Sequence, residues 1–188
     1  KQNFISVSDV LADSFDRLDA LHKDKDQLRG VPTGYPEMDH LLAGLQRSDL
    51  IILAARPSMG KTSFVLNIAA HVAINEGTPV GIFSLEMSKE QLIDRMLASE
   101  SGIDSWKLRT GNLEDKDFER LNRAMGKMAE APIYIDDSAM SNSLEMRTKA
   151  RRLQAEHGLG LIIIDYLQLM SGRGGGSSDN RVNEISEI

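Results

Sequence analysis

Short apolar runs alternate along this chain with stretches whose apolar residues recur at helical spacing. The runs that indicate strands lie at residues 49–55, 78–84, 132–137 and 159–170, the last including its exit from the strand. Continuous apolar runs of this kind are typical of strands buried on both faces of a sheet. Because helical patterns separate them, the sequence predicts an α/β fold with a doubly wound, mostly parallel sheet flanked by helices.

Helical periodicity and capping residues predict the helices that separate these strands. We expect them at about residues 61–76, 88–101, 114–130 and from 141 or 143 to 158, with a shorter helix inside the Gly- and Pro-rich segment 29–46. Ser88 and Gln91 have the spacing of a capping box at one helix start. In the helix at 114–130 one face carries Phe118, Leu121, Met125 and Met128, which we interpret as core residues.

The first part of the chain carries an apolar stripe at helical spacing over residues 7–24. Periodicity leaves two interpretations open: an amphipathic helix packed on its own domain, or a linker helix that docks on a neighbouring subunit. We assign residues 1–28 to a linker helix and connector, and residues 29–188 to the main domain. Residues 171–181, SGRGGGSSDNR, have the composition of a flexible loop.

Composition limits the class of protein. The chain has 188 residues, no cysteine and no run of about 18 apolar residues. This composition predicts a cytoplasmic protein without disulfides or a membrane-spanning helix. Its net charge of −6 argues against a free-standing DNA-binding module, whose phosphate contacts need concentrated Lys and Arg. The charge does not exclude DNA held in the channel of a ring, where few residues of each subunit face the strand.

The segment AARPSMGKTSF joins the first apolar run to a helix and matches a phosphate-binding loop. In the pattern G-x-x-x-x-G-K-[ST], Gly60, Lys61 and Thr62 match, while Ala55 replaces the first glycine. We expect Lys61 to reach the β- and γ-phosphates and the Thr62 hydroxyl to bind Mg²⁺. The residues expected around the phosphates are Ser58, Met59, Gly60, Lys61, Thr62 and Ser63. The alternative is a chance match in an ordinary strand–turn–helix.

Two carboxylates are expected at the same edge of the sheet as this loop. Asp165 ends the run LIIID, and an acid at the tip of a buried strand is suited to hold Mg²⁺, directly or through water. Glu86 follows another strand, where a carboxylate can activate the water that attacks a γ-phosphate. Both also have structural interpretations, Asp165 as a turn residue and Glu86 as a solvated residue near a helix start. Asp136 and Asp137, at the end of a third strand, are interpreted as structural.

With these residues, the chain resembles the DnaB family of hexameric replicative helicases, whose motor domain is a RecA-like P-loop NTPase. The segments that carry the resemblance are TGYPEMDHLLAGLQRSDLIILAARPSMGKTSF, FSLEMSKEQLIDRMLAS, LRTGNLEDKDFERL, IYIDDSAMS, RRLQAEHG and LIIIDYLQLM. They are spread through most of residues 30–170, so the match is more specific than a phosphate loop alone. The form ARPSMGKT looks like the one this family carries, so the departure at Ala55 counts little.

The resemblance implies an ATP-dependent replicative DNA helicase. It assigns Glu86 as the catalytic base, and it implies ATP and Mg²⁺ as cofactors. It also implies a homo-hexameric ring that moves 5′-to-3′ on single-stranded DNA, with primase and a helicase loader as partners. Residues 171–182 correspond to a channel loop in this family, so that Arg173 and Arg181 are candidate contacts to DNA phosphates. A solvated tether is the alternative for that loop.

The resemblance further implies that the domain is incomplete at residue 188. The family's domain continues with more strands, one of which lies inside the sheet, and with an arginine finger given to the neighbouring subunit. An arginine finger in trans contributes about 10³–10⁵ in rate, so we expect residues 1–188 alone to hydrolyse ATP poorly. Other functions stay open: a RecA-like ATPase in strand exchange or a signalling ring, or an ATP-gated loader or binding protein. The segments FSLEM and DYLQLM favour the helicase.

Overall fold

The computed structural model describes residues 28–138 and 143–166, together with positions 6, 7, 10, 11, 14–16 and 19. The chain divides into two compact units, Lys1–Asp49 and Leu50–Ile188. The sequence places its domain boundary earlier, after residue 28, and that boundary stays a prediction. The described positions from 7 to 19 are helical, and the rest of the expected linker helix lies outside the described residues.

The first unit contains the short helix predicted inside the Gly- and Pro-rich segment. Helix α1 spans Pro36–Leu42, with the proline in its first turn, where a missing N–H removes no helical hydrogen bond. The chain on either side of α1 pairs through an antiparallel bridge between Val31 and Leu45. The buried side chain of Asp39 accepts a hydrogen bond from the Thr33 N–H at 2.8 Å, which ties the incoming chain to the helix.

The second unit is built around three parallel strands. The strands are β1 (Val80–Ser84), β2 (Ile133–Asp136) and β3 (Leu161–Asp165). The helices are α2 (Lys61–Ile74), α3 (Lys89–Ser101), α4 (Ser105–Thr110), α5 (Asp115–Glu130) and α6 (Ser143–His157). The sheet order is β2–β1–β3, and all five residues of β1 are buried. Three of the four predicted strands and all the predicted helices of this unit are therefore confirmed; α2 ends two residues before the expected position.

Helices cover both faces of this sheet. On one face Phe83 of β1 packs with Met146 of α6, and Gly81 faces Leu153 of the same helix. Because side chains alternate along a strand, Val80 and Ile82 point to the opposite face. Helix α2 contacts all three strands and also α3, and α3 contacts α5. The doubly wound, parallel α/β class predicted from the sequence is confirmed.

Helix α2 supplies much of the core on its face of the sheet. Its buried residues are Leu66, Ile68, Ala69, Val72 and Ala73. Burial of each Leu, Ile or Val side chain stabilises the fold by at most about 1.5–3 kcal/mol, because a compact unfolded chain already buries part of its apolar surface. This packing fixes the axis of α2, and therefore the direction in which its first turn faces.

The apolar run at residues 49–55 is not a strand, so this prediction is wrong. The run has no strand assignment, and Leu50 and Ile52 are 84% and 69% exposed. A strand forms only when its backbone N–H and C=O groups bond to a neighbouring strand, and no described residue forms a ladder with this run. Apolar composition therefore indicates that a segment is suited to the interior of a sheet. Whether it forms a strand depends on a neighbouring strand, which the apolar pattern of the segment does not identify.

The buried face of α5 also differs from the predicted one. Phe118 and Met125 are each half exposed, so assigning them to the core is wrong, whereas Asp117 and Ala124 are buried. At these two positions the buried residue is thus the one before the apolar residue, while Leu121 and Met128 of the predicted face are partly buried. Asp117 can be buried in place of Phe118 because its carboxylate has hydrogen-bond partners.

Asp117 is held by two hydrogen bonds that compensate for its burial. Its carboxylate accepts from the Glu114 N–H and from Lys107 Nζ, each at 3.2 Å. These contacts hold the pKa of Asp117 below its ordinary value, the backbone hydrogen bond from Glu114 being the largest cause. A buried polar group is tolerated only when it is bonded, which is the case here.

Helix α4 has no counterpart among the predicted helices. It begins after Asp104, whose Oδ1 accepts the Trp106 N–H at 2.7 Å, and it ends at Gly111 with a φ of 71°. An Asp before and a Gly after are the signals that cap a short helix.

Within the part of the chain that the structure describes, no helix is both long and apolar enough to span a bilayer.

Candidate nucleotide-binding site

The phosphate-binding loop predicted from the sequence forms an exposed turn before α2. The Met59 N–H donates to the Arg56 carbonyl at 3.3 Å, and residues 56–60 are all exposed. Ser58 and Gly60 have φ values of 65° and 87°, in the left-handed region. Two left-handed residues within three positions turn the chain sharply into the helix that starts at Lys61.

The N-terminus of α2 is left open. Gly60 is the N-cap residue and has no side chain that could accept a hydrogen bond from the first turn, and that turn has no acidic residue. The first N–H groups of an α-helix have no partner within the helix, and the helix dipole makes this end positive. Glycine also suits the backbone at position 60, since an L-residue is strained at this φ. The exposed turn and the open helix end together form a site suited to an anion.

Three predicted site residues meet at this helix end. Thr62 Oγ1 donates to Asp165 Oδ2 at 2.6 Å, and Lys61 Nζ lies 3.5 Å from Asp165 Oδ1. Asp165 is the last residue of β3 and is buried, with a relative exposure of 5%. The side chains that were expected to bind phosphate and metal therefore converge, although Asp165 follows Thr62 by more than 100 residues in the sequence.

The donor set of Thr62 and Asp165 fits Mg²⁺. Adjacent ligands of an octahedral Mg²⁺ lie about 3 Å apart, given metal–oxygen distances of about 2.1 Å. The observed 2.6 Å between Thr62 Oγ1 and Asp165 Oδ2 is close to that separation. Among the described residues no group of three His, Asp or Glu side chains could hold a metal ion. Mg²⁺ in nucleotide sites needs no such cage, because the phosphates and water supply most of its ligands.

An aromatic ring also contacts the lysine, which sequence reasoning missed. Lys61 Nζ lies 4.4 Å from the ring centroid of Tyr166, within the range of a cation–π interaction. Tyr166 follows Asp165 directly, and its place after this predicted site residue was the signal that the sequence offered. Asp165 and Tyr166 together hold the ammonium group of Lys61 over the start of α2.

A second contact that the sequence did not reveal comes from α3. Arg95 Nη1 lies 3.5 Å from Ser63 Oγ, at the outer limit of a hydrogen bond. The guanidinium group adds positive charge beside the first turn of α2. Periodicity indicates only that Arg95 lies on an exposed helix, so its proximity to the loop comes from the packing of α3 on α2.

Glu86 lies at the same edge of the sheet as Asp165. Ser84, the last residue of β1, is paired in register with Asp165, and the Leu85 N–H donates to the Asp165 carbonyl at 2.8 Å. Glu86 is the next residue and is exposed. Glu86 thus lies just past the tip of β1, at the edge of the sheet where β3 ends with Asp165, and its role as a base stays a prediction.

Asp136 and Asp137 make structural contacts, which supports their interpretation from the sequence. Asp136 pairs with Lys149 and accepts the Ser138 N–H at 3.0 Å. Its partial burial alone would raise its pKa, but the hydrogen bonds from Lys149 and Ser138 outweigh burial and lower the pKa. Asp137 Oδ2 accepts the Lys89 N–H at 3.0 Å, at the start of α3.

The predicted DNA contacts, Arg173 and Arg181, lie outside the described residues, as does the whole of the loop 171–182. Both stay predictions.

Comparison with known proteins agrees with this fold. Residues 30–188 match the family described as the DnaB-like helicase C terminal domain. The chain belongs to this family. It is 51% identical over 185 residues to the replicative DNA helicase DnaC of Bacillus subtilis, covering 98% of this chain and 40% of that protein. It is 53% identical over 186 residues to the replicative DNA helicase DnaB of Synechocystis, covering 98% of this chain and 21% of that protein. The chain thus spans less than half the length of these two relatives.

Solved structures show the same RecA-like fold in the family. One of them, described as an ATPase domain, superposes with a TM-score of 0.87 at 28% identity, covering 98% of this chain and 65% of that one. A DnaB-like replicative helicase, studied with its interactions with primase, superposes with a TM-score of 0.85 at 28% identity, covering 99% of this chain and 44% of that one. The RecA-like P-loop NTPase fold implied by the sequence is therefore confirmed.

Proposed function

We propose that this chain is the ATP-hydrolysing motor region of a replicative DNA helicase. The observation that carries the proposal is the convergence of Lys61, Thr62 and Asp165 at the open N-terminus of α2. A positive helix end, a lysine and a pair of oxygen ligands are the groups that a nucleoside triphosphate with Mg²⁺ requires. Membership of the DnaB-like family supports the same nucleotide and the same reaction.

In this proposal the phosphates of ATP lie along residues 58–63, where backbone N–H groups of the turn and of α2 point toward them. Lys61 binds the β- and γ-phosphates, held in place by Asp165 and Tyr166. Thr62 and Asp165 hold Mg²⁺, which when bound neutralises charge on the phosphates. Each of these residues binds or orients the nucleotide before any bond breaks.

Glu86 is the proposed general base. An exposed carboxylate beyond the tip of β1 can accept a proton from water that attacks the γ-phosphate in line with the leaving oxygen. The register of Ser84 with Asp165 supports this role, because it brings Glu86 to the edge at which the metal would bind.

The assembled protein is proposed as a homo-hexameric ring in the cytoplasm, with single-stranded DNA in its channel and 5′-to-3′ movement at the replication fork. Arg173 and Arg181 are the proposed DNA contacts in this chain, and residues 1–28 the proposed linker helix. Primase is a proposed partner because a similar helicase has been studied with primase, and a helicase loader is proposed from the family resemblance alone. The channel accommodates DNA despite the net charge of −6, since few residues of each subunit face the strand.

Unwinding of a forked DNA by the full-length protein tests this function. We expect ATP-dependent unwinding by the wild type, and none by Glu86→Gln, which should still bind ATP but lose hydrolysis. Strand exchange without unwinding would instead assign the protein to recombination ATPases. ATP binding with neither activity would assign it to ATP-gated binding or loader proteins. Hydrolysis by Glu86→Gln at the wild-type rate would remove Glu86 from the base role.

A further inference from the structure

The turn that carries Glu86 is short and joins two rigid elements. It comprises residues 85–87, between the end of β1 at Ser84 and the N-cap of α3 at Ser88. Glu86 lies in its middle and is exposed, whereas both flanking elements contribute buried residues to the core. The direction of the Glu86 side chain therefore depends on how the turn itself is fixed.

Ser84 closes this turn from the strand side. Its hydroxyl donates to the Met87 carbonyl at 2.6 Å and accepts from the Met87 N–H at 3.3 Å. One side chain thus satisfies both backbone groups of the residue that follows Glu86. Ser84 is only 2% exposed, so water does not replace these bonds readily if the hydroxyl is lost.

The ends of the turn are fixed by other groups. The Leu85 N–H donates to the Asp165 carbonyl at 2.8 Å, which ties the turn to β3. On the helix side, Ser88 forms its capping box and Asp137 accepts the Lys89 N–H. Among the hydrogen bonds of the described residues, those of Ser84 are the side-chain bonds that span the turn itself, from one side of Glu86 to the other.

We infer that Ser84 is a positioning residue for Glu86. The inference rests on the proposed role of Glu86 as general base. By holding Met87, the Ser84 hydroxyl fixes the backbone on the far side of Glu86 and thus the point from which its carboxylate reaches the attacking water. A displacement of about 1 Å at a reacting group lowers the rate of a reaction by about 10²-fold, so loss of this anchor has a kinetic effect without loss of any contact to the nucleotide.

The test uses the full-length protein and compares Ser84→Ala with Ser101→Ala. Ser101 is a matched control, because it is also buried and its hydroxyl also donates to a backbone carbonyl, that of Leu97, at 2.6 Å. We expect Ser84→Ala to lower kcat for ATP hydrolysis by about tenfold while the KM for ATP and the Kd for ADP change less than about twofold. Ser101→Ala is expected to lower the Tm without lowering kcat, and S84T, which keeps the hydroxyl, to recover most of the rate.

Combination with Glu86→Gln separates positioning from a merely structural effect. If Ser84 acts through Glu86, Ser84→Ala has no further effect on the residual single-turnover rate that remains in the Glu86→Gln background. Equal slowing in both backgrounds, or an unchanged kcat in Ser84→Ala, would overturn the inference. If Ser84→Ala does not fold, S84C provides the same comparison at nearly the same side-chain volume, since a thiol is a weak hydrogen-bond donor.

The same set of variants distinguishes this inference from the proposed function. If Glu86→Gln hydrolyses ATP normally, Glu86 is not the base and the inference fails with it. If Glu86→Gln is inactive and Ser84→Ala is not impaired, only the inference about Ser84 fails.

Discussion

Helices α2 and α3 both begin with a lysine, and both follow turns at the carboxyl edge of the sheet, yet their first turns are opposite in character. The N-terminus of α3 is closed by its own surroundings: Ser88 and Gln91 form a capping box, and Asp137 accepts the Lys89 N–H. The N-terminus of α2 has neither a side-chain cap nor an acid in its first turn. The first N–H groups of an uncapped helix end can bond water or a ligand, so the N-terminus of α2 is suited to bind an anion, whereas that of α3 is not.

The difference between the two ends gives each lysine a different role. Lys89 Nζ lies 3.9 Å from Asp137 Oδ1 on the surface, and an exposed ion pair of this kind contributes little to stability. Lys61 is held between a buried carboxylate and an aromatic ring, above an open helix end. One lysine belongs to a capped helix start, and the other belongs to a site suited to an anion.

The largest expected effect is that of removing the lysine from the open end. Lys61→Ala should lower ATP hydrolysis by the full-length protein by about 10²–10³-fold, because a positive group aimed at the phosphates is lost. Lys89→Ala is the matched control at the first position of α3, and its hydrolysis should stay within about twofold of the wild type, as expected for a surface residue. A similar loss of ATP hydrolysis in the two variants would show that the two helix ends do not differ in their role.

A substitution at the helix cap should give the next largest effect. Gly60 and Gly102 both have positive φ values, 87° and 64°, and a Cβ at either would meet nothing within 4 Å. Gly60→Ala and Gly102→Ala should each lower the free energy of unfolding by about 1–2 kcal/mol, because both strain the backbone. Only Gly60→Ala should also weaken nucleotide binding, by about tenfold or more, since its methyl group lies at the phosphate site. Calorimetric titration with ADP measures the second effect, and equal affinities would contradict it.

Removal of the cap from the closed end should affect stability alone. Ser88→Ala breaks the capping box of α3 and should lower the free energy of unfolding by about 1 kcal/mol, measured by denaturant titration. Its Kd for ADP should stay within about twofold of the wild type, given that most substitutions away from a binding site leave it unperturbed. A large loss of nucleotide affinity would show that the two helix ends are coupled.

The smallest effect should appear in the pH dependence of stability. Hydrogen bonding of Glu90 to its own backbone N–H, and then to Ser88, holds the pKa of Glu90 below its ordinary value. A lowered pKa means that the charged form stabilises the fold above the unfolded-state pKa and that this contribution is lost as pH falls through the folded-state value. The Tm of Glu90→Gln should therefore lie slightly below that of the wild type near neutral pH and converge with it in acid. A difference that widens on acidification would contradict this assignment.

Much of this contrast was visible in the sequence. The spacing of Ser88 and Gln91 predicted the capping box, and Gly60, Lys61 and Thr62 predicted the phosphate loop, because both motifs are local and depend on few neighbours. The position of Asp165 at the end of an apolar run predicted its place at the sheet edge. Local chemistry thus identified the residues that meet at α2, although only the folded chain shows that they touch.

Features that depend on distant partners could not be read from the sequence. The run at 49–55 has the composition of a buried strand, but a ladder requires a neighbour, and periodicity does not name one. On α5 the apolar spacing favoured Phe118 and Met125 for the core. The structure instead buries Asp117, whose hydrogen bonds from Glu114 and Lys107 compensate for its burial. The contact of Lys61 with Tyr166 likewise arises from the approach of β3 to α2.

We propose that Thr62 and Asp165 form a metal site at the open end of α2. It is tested most directly by the affinity of the full-length protein for a non-hydrolysable ATP analogue, measured with and without Mg²⁺. We predict that Mg²⁺ strengthens binding to the wild type by at least about tenfold and to Asp165→Asn by less than about twofold. Asp136→Asn, at the tip of the neighbouring strand β2, should keep the wild-type response. An undiminished response to Mg²⁺ in Asp165→Asn would show that Asp165 does not bind the metal.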